Sequence, residues 1–274
     1  VLLAQGPLFG AALAFYGGET LRVRVYVDGF NLYYGALKGT PFKWLNLVAL
    51  SEQVLPPGCT VDRVNYFTAR VSGASKPGAS HRQHAYLSAL NTLPLVTVHF
   101  GSFLAKTAWR PLTNLPVADK RIDTPTPVEL PAGNHPVSGS QILPVGSYPT
   151  DTRGKKKRRK RNRALPDALI AEVYKMEGKG SDVNLAAHLL NDAWRGLFDM
   201  ATVISNDTDL ITPIRLVTIE RKKPVLVVCP GRWQMAPKLK NAATYGRHIH
   251  RAMLKAAQFP ERIPGTTISK PEDW

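Results

Sequence analysis

Two blocks of alternating strand-like and helix-like pattern, parted by a block that fits neither, constrain this chain more than any single motif. In the first block, residues 21–27 (LRVRVYV) alternate apolar and polar positions and are rich in valine. Residues 61–71 are rich in β-branched and aromatic types, and 95–100 (LVTVHF) repeat that character. Helix-like stretches separate them at 45–55, closed by Pro56-Pro57-Gly58, and at 80–90. In the second block, Leu185, Leu189 and Ala193 mark one face of a helix over 182–194. Strands then follow at 200–205 and 225–228, with helices at 210–220 and 239–257. Strands that alternate with helices imply βαβ units, hence an α/β fold with a mostly parallel central sheet covered on both faces.

The separating block is of another kind. Residues 111–152 hold eight prolines and one aromatic residue, Tyr148. Such a segment buries too little apolar surface to offset the entropy of ordering it. Residues 153–163 (RGKKKRRKRNR) are basic at nine of eleven positions, more than half of the formal net charge of +16. We therefore expect a long, disordered, Pro-rich and basic insertion over 111–163, set into one domain made of 21–110 and 164–274. The opening 1–20 is mildly apolar, lacks a basic start and is broken by Gly6, Pro7, Gly10, Gly17 and Gly18. It reads as a leader of uncertain role.

A pI near 10.0 favours a polyanionic partner, nucleic acid first. Lys155, Lys156, Lys157, Arg158, Arg159, Lys160 and Arg161 are the expected phosphate contacts, although such a run carries no sequence specificity. The two cysteines, Cys59 and Cys229, exclude a disulfide-rich scaffold and a cysteine zinc ribbon. They suit a reducing compartment. No run of 18 apolar residues is present, which argues against a membrane-spanning helix; a cytoplasmic protein is the expectation. The sequence carries no sign of an oligomeric state.

Acidic residues are scarce, so their positions matter. Asp28 directly follows the first strand, and Asp207 and Asp209 directly follow the strand at 200–205. In an open parallel sheet, ligands bind beyond the carboxyl ends of the strands. If the two strands are neighbours there, three carboxylates meet. Asp182 starts a helix, where the exposed N–H groups favour a carboxylate; Glu177 lies just upstream. Converging carboxylates repel unless a counter-charge is present. A divalent cation, Mg²⁺ or Mn²⁺, resolves that repulsion and would activate a bound water. Each acid also has an ordinary use, Asp28-Gly29 as a turn and Asp182 or Asp207 as helix caps.

The segments Val27-Asp28-Gly29-Phe30-Asn31-Leu32-Tyr33-Tyr34, Lys179-Gly180-Ser181-Asp182-Val183-Asn184-Leu185-Ala186 and Val203-Ile204-Ser205-Asn206-Asp207-Thr208-Asp209-Leu210 together resemble the NYN domain family. That family is similar to the PIN-like ribonucleases and includes the LabA-like branch. The resemblance covers roughly 22–110 and 170–274. It implies a Rossmann-like, PIN-type three-layer fold and metal-dependent cleavage of RNA, most readily single-stranded RNA. It implies that Asp28, Asp182, Asp207 and Asp209 bind the metal, and that Asn31 orients a ligand or water near Asp28. The insertion is longer and more basic than this family suggests, and Gly178 stands where a second acid after Glu177 is expected.

Two other functions compete with an endoribonuclease. A haloacid-dehalogenase-like phosphatase needs a second Asp two residues after the nucleophile, and Phe30 occupies that place. A non-catalytic RNA-binding scaffold would keep the basic run but has no need of four aspartates. His81, His84, His248 and His250 lack a third ligand at metal spacing. Gly178-Lys179-Gly180-Ser181 departs from a phosphate loop. Tyr33, Tyr34 and Trp44 could stack on bases, with a place in the core as the plainer alternative.

Overall fold

The computed structural model describes residues 20–71, 78–111, 134–136, 142–144, 169–231, 234–272 and 274; for 102–111, 134–136, 142–144 and 169–179 the backbone alone is described. The chain divides into two compact units, Val1–Ser102 with Lys179–Trp274, and Phe103–Gly178.

Strand β1 (Leu21–Asp28) runs into the short helix α1 (Gly29–Leu32), which widens into a π-turn at Tyr33–Leu37. Helix α2 (Leu47–Val54) starts where the Asn46 side chain accepts from the N–H groups of Val48 and Ala49, a cap worth about 1 kcal/mol. Strand β2 (Cys59–Ala69), helix α3 (Ala79–Leu90) and strand β3 (Val96–Pro111) follow. In the second unit, β4 (Asn134–Pro136) and β5 (Ile142–Pro144) each pair antiparallel with β6 (Leu169–Lys179). Beyond it come helix α4 (Ser181–Trp194) and strand β7 (Met200–Ile204). A 3₁₀ turn at Thr208–Leu210 leads into α5 (Ile211–Arg215) and a π-turn at Leu216–Glu220. Strand β8 (Val225–Cys229), helix α6 (Pro237–Ala242), strand β9 (Tyr245–His248) and helix α7 (Arg251–Ala256) complete the fold.

Six strands form an all-parallel sheet in the order β3-β2-β1-β7-β8-β9. The chain builds outward from β1 in one direction, then returns to β7 and builds outward in the other. The reversal between β1 and β7 is the topological switch point.

Alternation along β1 assigns its two faces. Val23, Val25 and Val27 pack with α2, α3 and α7, whereas Tyr26 packs with α4, α5 and α6. The result is a Rossmann-like three-layer fold, with the mostly parallel sheet covered on both faces that the strand and helix pattern implies. Among the described residues no helix is long and apolar enough to cross a membrane. Cys59 and Cys229 are not joined in a disulfide.

The expected single helix over 239–257 is instead α6, β9 and α7. Residues 244–246 (Thr-Tyr-Gly) are poor helix formers. The open edge of β8 offers ladder hydrogen bonds, and 245–248 take them, from Leu226 opposite Tyr245 to Cys229 opposite His248. Tertiary pairing here overrides a spacing that also fits a helix. The basic run at 153–163 and most of the expected insertion lie outside the described residues, as does nearly all of the leader.

Leu189 is wholly buried on α4 beneath the sheet, whereas Val183 on the same helix is 70% exposed. Leu189→Ala should cost about 2–5 kcal/mol in urea unfolding through lost transfer energy and an unfilled cavity. Val183→Ala should fall within about 0.5 kcal/mol of wild type. Equal losses would contradict this packing of α4.

Candidate functional site

Asp28 closes β1 and is 4% exposed. One carboxylate oxygen accepts the Asn31 N–H at 2.9 Å, which caps α1. The other accepts the Ser205 hydroxyl at 3.0 Å, from the exit of β7. The glycine that follows is required by crowding rather than by a turn: a Cβ on Gly29 would lie 2.7 Å from the Phe67 carbonyl oxygen and 2.8 Å from the Tyr66 ring. Asp-Gly here thus lets α1 start directly against the end of β2.

Ser205 joins the two strands. Its Oγ donates to Asp28 and accepts the Asp207 N–H at 3.1 Å. Asp207 then accepts the Asp209 N–H at 2.9 Å and caps the 3₁₀ turn. Asn31 accepts the Asn206 N–H at 3.0 Å through its Oδ1, and the Asn206 Oδ1 accepts the Ala236 N–H at 2.9 Å. The Asn31 side-chain oxygen therefore ties down the loop after β7, beside the role of orienting a ligand that the resemblance implies. Ser205 and Asn206 were missed in the sequence; their only signal was their place between a buried strand and the Asp207-Thr208-Asp209 triplet.

Asp182 lies in the first turn of α4. It, Asp28 and Asp207 each present a carboxylate oxygen such that all three lie within 4.8 Å of one another. Asp209 is exposed and is not one of that trio, yet its charge still acts on Asp182. The side chain of Glu177 lies outside the described set.

Electrostatics separate this cluster from ordinary capping. Burial pushes the Asp28 carboxyl up to about 6, with Asp182 and Asp207 raising it further against the Asn31 and Ser205 hydrogen bonds. Burial, Asp207 and Asp209 also raise Asp182. Two like charges at this spacing repel by about 3 kcal/mol at an effective dielectric of ~20, more than the ~1 kcal/mol a cap returns. Among the described residues the ion pairs are Arg22–Asp199, Arg24–Asp62 and Arg24–Asp192, and none reaches the trio. The donors are oxygen only, the set that suits a hard cation such as Mg²⁺ or Mn²⁺.

Other expected contacts fall differently. Trp44 is core, 1% exposed, and its Nε1–H donates to the Pro260 carbonyl at 2.8 Å. Tyr34 is exposed, with Tyr33 edge-on and Lys38 over its ring. The Arg70 guanidinium lies over Phe100. Among the described residues no histidine joins a metal-binding group of three. Lys155, Lys156, Lys157, Arg158, Arg159, Lys160 and Arg161, with the expected RNA contact, lie outside the described residues.

Fold and site together define a Rossmann-like α/β protein with a carboxylate cleft at its switch point. No family model matches the chain. It is 29% identical over 278 aligned positions, 93% of this chain and 76% of the other, to 6-hydroxy-3-succinoylpyridine 3-monooxygenase HspA of Pseudomonas putida (strain DSM 28022 / S16). A solved protein of unknown function from Vibrio parahaemolyticus RIMD 2210633 aligns over 85% of this chain and 95% of its own, with 13% identity and a TM-score of 0.42.

The first likeness supports an enzyme and overturns the expected reaction. The named relative is a monooxygenase, an oxidoreductase, so the metal-dependent endoribonuclease reading, with its hydrolase and nuclease labels, is corrected. The physical reason is that a carboxylate cluster specifies a cation, whereas the reaction depends on what is held beside it.

The raised Asp28 carboxyl has a stability consequence. Its folded-state value lies above the usual 3.8, so its contribution is fully present below that value and is lost as pH rises through about 6. The loss is on the order of 3 kcal/mol. A cation held by the trio would offset it. Mn²⁺ should therefore raise the melting temperature at about pH 7.5 and do so far less at about pH 4.5. An equal rise at both pH values in thermal melts would show that the ion binds elsewhere.

Proposed function

We propose that this protein is an oxidoreductase of the monooxygenase kind, acting on a small hydroxylated heteroaromatic substrate beside the Asp28–Asp182–Asp207 cleft. The observation that carries this reading is the 29% identity to a pyridine-ring monooxygenase along 93% of the chain. The switch-point position of the cleft supports it, because ligands gather there in parallel sheets. We propose further that the scaffold and its acids follow the NYN pattern, without the nuclease chemistry.

Asp28, Asp182 and Asp207 would hold Mg²⁺ or Mn²⁺, with Asp209 at the rim. Such a cation, when bound, supplies a Lewis acid for an oxygen atom of the ligand. The chain's own residues do the positioning. The Asn31 N–H and Ser205 hydroxyl fix both oxygens of Asp28, and the Asp209 N–H fixes one oxygen of Asp207. Monooxygenation consumes dioxygen, two electrons and two protons; one oxygen atom enters the substrate and the other leaves as water. The electrons come from a separate two-electron donor, and redox cofactors commonly carry such steps.

The test uses 6-hydroxy-3-succinoylpyridine, NADH and ¹⁸O-labelled dioxygen with the full chain, with and without added flavin. The expected result is oxygen uptake and one labelled oxygen atom in the product by mass spectrometry. Removal of divalent ions should abolish turnover, and Mn²⁺ should restore it. Asp28→Asn should lower kcat/KM by about 100-fold or more. Absence of uptake under all these conditions defeats the oxidoreductase reading.

A further inference from the structure

Beside the acidic cleft lies a second group of polar side chains with no assigned task. Register places Asp28 opposite Phe67, and Phe67 opposite His99. In a parallel sheet such partners project to the same face, so the row runs from the carboxylate cleft towards β3. Helix α4 covers this face, carrying Asp182 in its first turn and His188 further along. The His99 ring stacks on Phe67 at 4.7 Å and 13°. The His188 ring lies 4.2 Å from His99 and 5.6 Å from Phe67.

Three observations set this group apart from ordinary core. The His99 Nε2 is 3.0 Å from the Asn65 Oδ1, a contact that fixes the ring. Asn65 is 4% exposed, yet its Nδ2 has no hydrogen-bond partner. Leaving such a donor unpaired costs on the order of 1–3 kcal/mol, so a fold keeps one where something else satisfies it. His188 is half-buried and makes ring contacts, with no hydrogen bond to either nitrogen among the described residues. Burial and the neighbouring His188 push His99 down to about 4, which leaves it neutral near pH 7. His99 therefore brings no cation to the adjoining carboxylates, and its stacked ring suits an uncharged planar ligand.

We infer that Asn65, His99 and His188, with the buried Phe67 stacked behind His99, form the recognition surface for a planar nitrogen heteroaromatic ring bearing an oxygen substituent, held next to the Asp28–Asp182–Asp207 cleft. This rests on the proposed oxidoreductase reading and names the part of its site that selects the substrate. The half-buried imidazole rings of His99 and His188 pack against the ligand ring, backed by Phe67. A His188 ring nitrogen, which has no hydrogen bond among the described residues, and the unpartnered Asn65 Nδ2 meet the ring N–H and oxygen. A lactam such as 2-pyridone carries both groups side by side, whereas phenol carries the oxygen without the ring N–H.

The experiment titrates the full-length protein with 2-pyridone, using phenol as the comparison ring, and follows the histidine Cε1–H signals by NMR. The expected result is saturable movement of the His99 and His188 signals with 2-pyridone and much weaker movement with phenol. His188→Leu should weaken 2-pyridone binding about tenfold, the loss of one hydrogen bond and a ring contact. Its Mn²⁺ affinity should stay unchanged, which also reports that the variant is folded. Absence of binding, bound probe with stationary histidine signals, or equal affinity in His188→Leu would each overturn the inference. The two readings also fail separately. Probe binding through these histidines without oxygen uptake would remove the oxidoreductase reading and leave the recognition surface. Turnover with KM unchanged in His188→Leu would do the reverse.

Discussion

One buried carboxylate at the point where the sheet reverses direction organises this molecule. Asp28 sits at the end of the central strand, flanked by β2 on one side and β7 on the other. Taking it out of water is unfavourable, and the displacement of its carboxyl to about 6 records that cost. The Asn31 N–H and the Ser205 hydroxyl recover part of it. Those same two bonds start α1 and join the exit of β7 to the exit of β1. A single charge therefore ends a strand, begins a helix and fixes the distance between two loops.

The rest of the cleft is assembled by short relays that start from this point. Ser205 passes from Asp28 to the backbone of Asp207, and Asp207 passes to Asp209. A second relay runs from Asn31 through Asn206 to Ala236. Each relay consumes polar groups that would otherwise be exposed loop ends, so the carboxylates are set by bonded backbone rather than by flexible tips. Close packing adds a further constraint on this side of the molecule. A Cβ on Gly231, already in the left-handed region at φ 86, would lie 1.9 Å from the Gly35 carbonyl oxygen. The loop after β8 thus presses directly on the π-turn that follows α1.

Much of this was legible in the chain because its signals are local. Valine-rich alternation at 21–27, the strand at 200–205 and the periodic face of Leu185, Leu189 and Ala193 each reflect burial that one element displays by itself. Convergence of Asp28, Asp182 and Asp207 was legible too, since aspartates directly after two strands can meet once those strands are neighbours. The strand at 245–248 was hidden because its reason is the open edge of β8, a partner distant in sequence. Ser205 and Asn206 were hidden because a serine or asparagine at a strand end is common, and only the fold shows which atoms they join. The same holds for His99 and Asn65, brought together by register across β2 and β3.

The reaction was the part least available from the acids themselves. Three oxygen donors within 4.8 Å would suit a hard cation and say little about the molecule placed beside it. A phosphodiester would demand positive charge around the cleft to hold its backbone. The adjoining face supplies the opposite condition: His99 is neutral near pH 7, stacked on Phe67 and hydrogen-bonded to a buried carboxamide. A neutral aromatic wall next to an anionic cleft rewards a ligand that is flat, uncharged over most of its area and oxygen-bearing at one edge. In the proposed reading, selection by shape and hydrogen bonding falls to β2, β3 and His188 of α4, while Asp28, Asp207 and Asp182 in the first turn of α4 would hold the cation. That division lets one parallel sheet separate recognition from charge over the width of two strands.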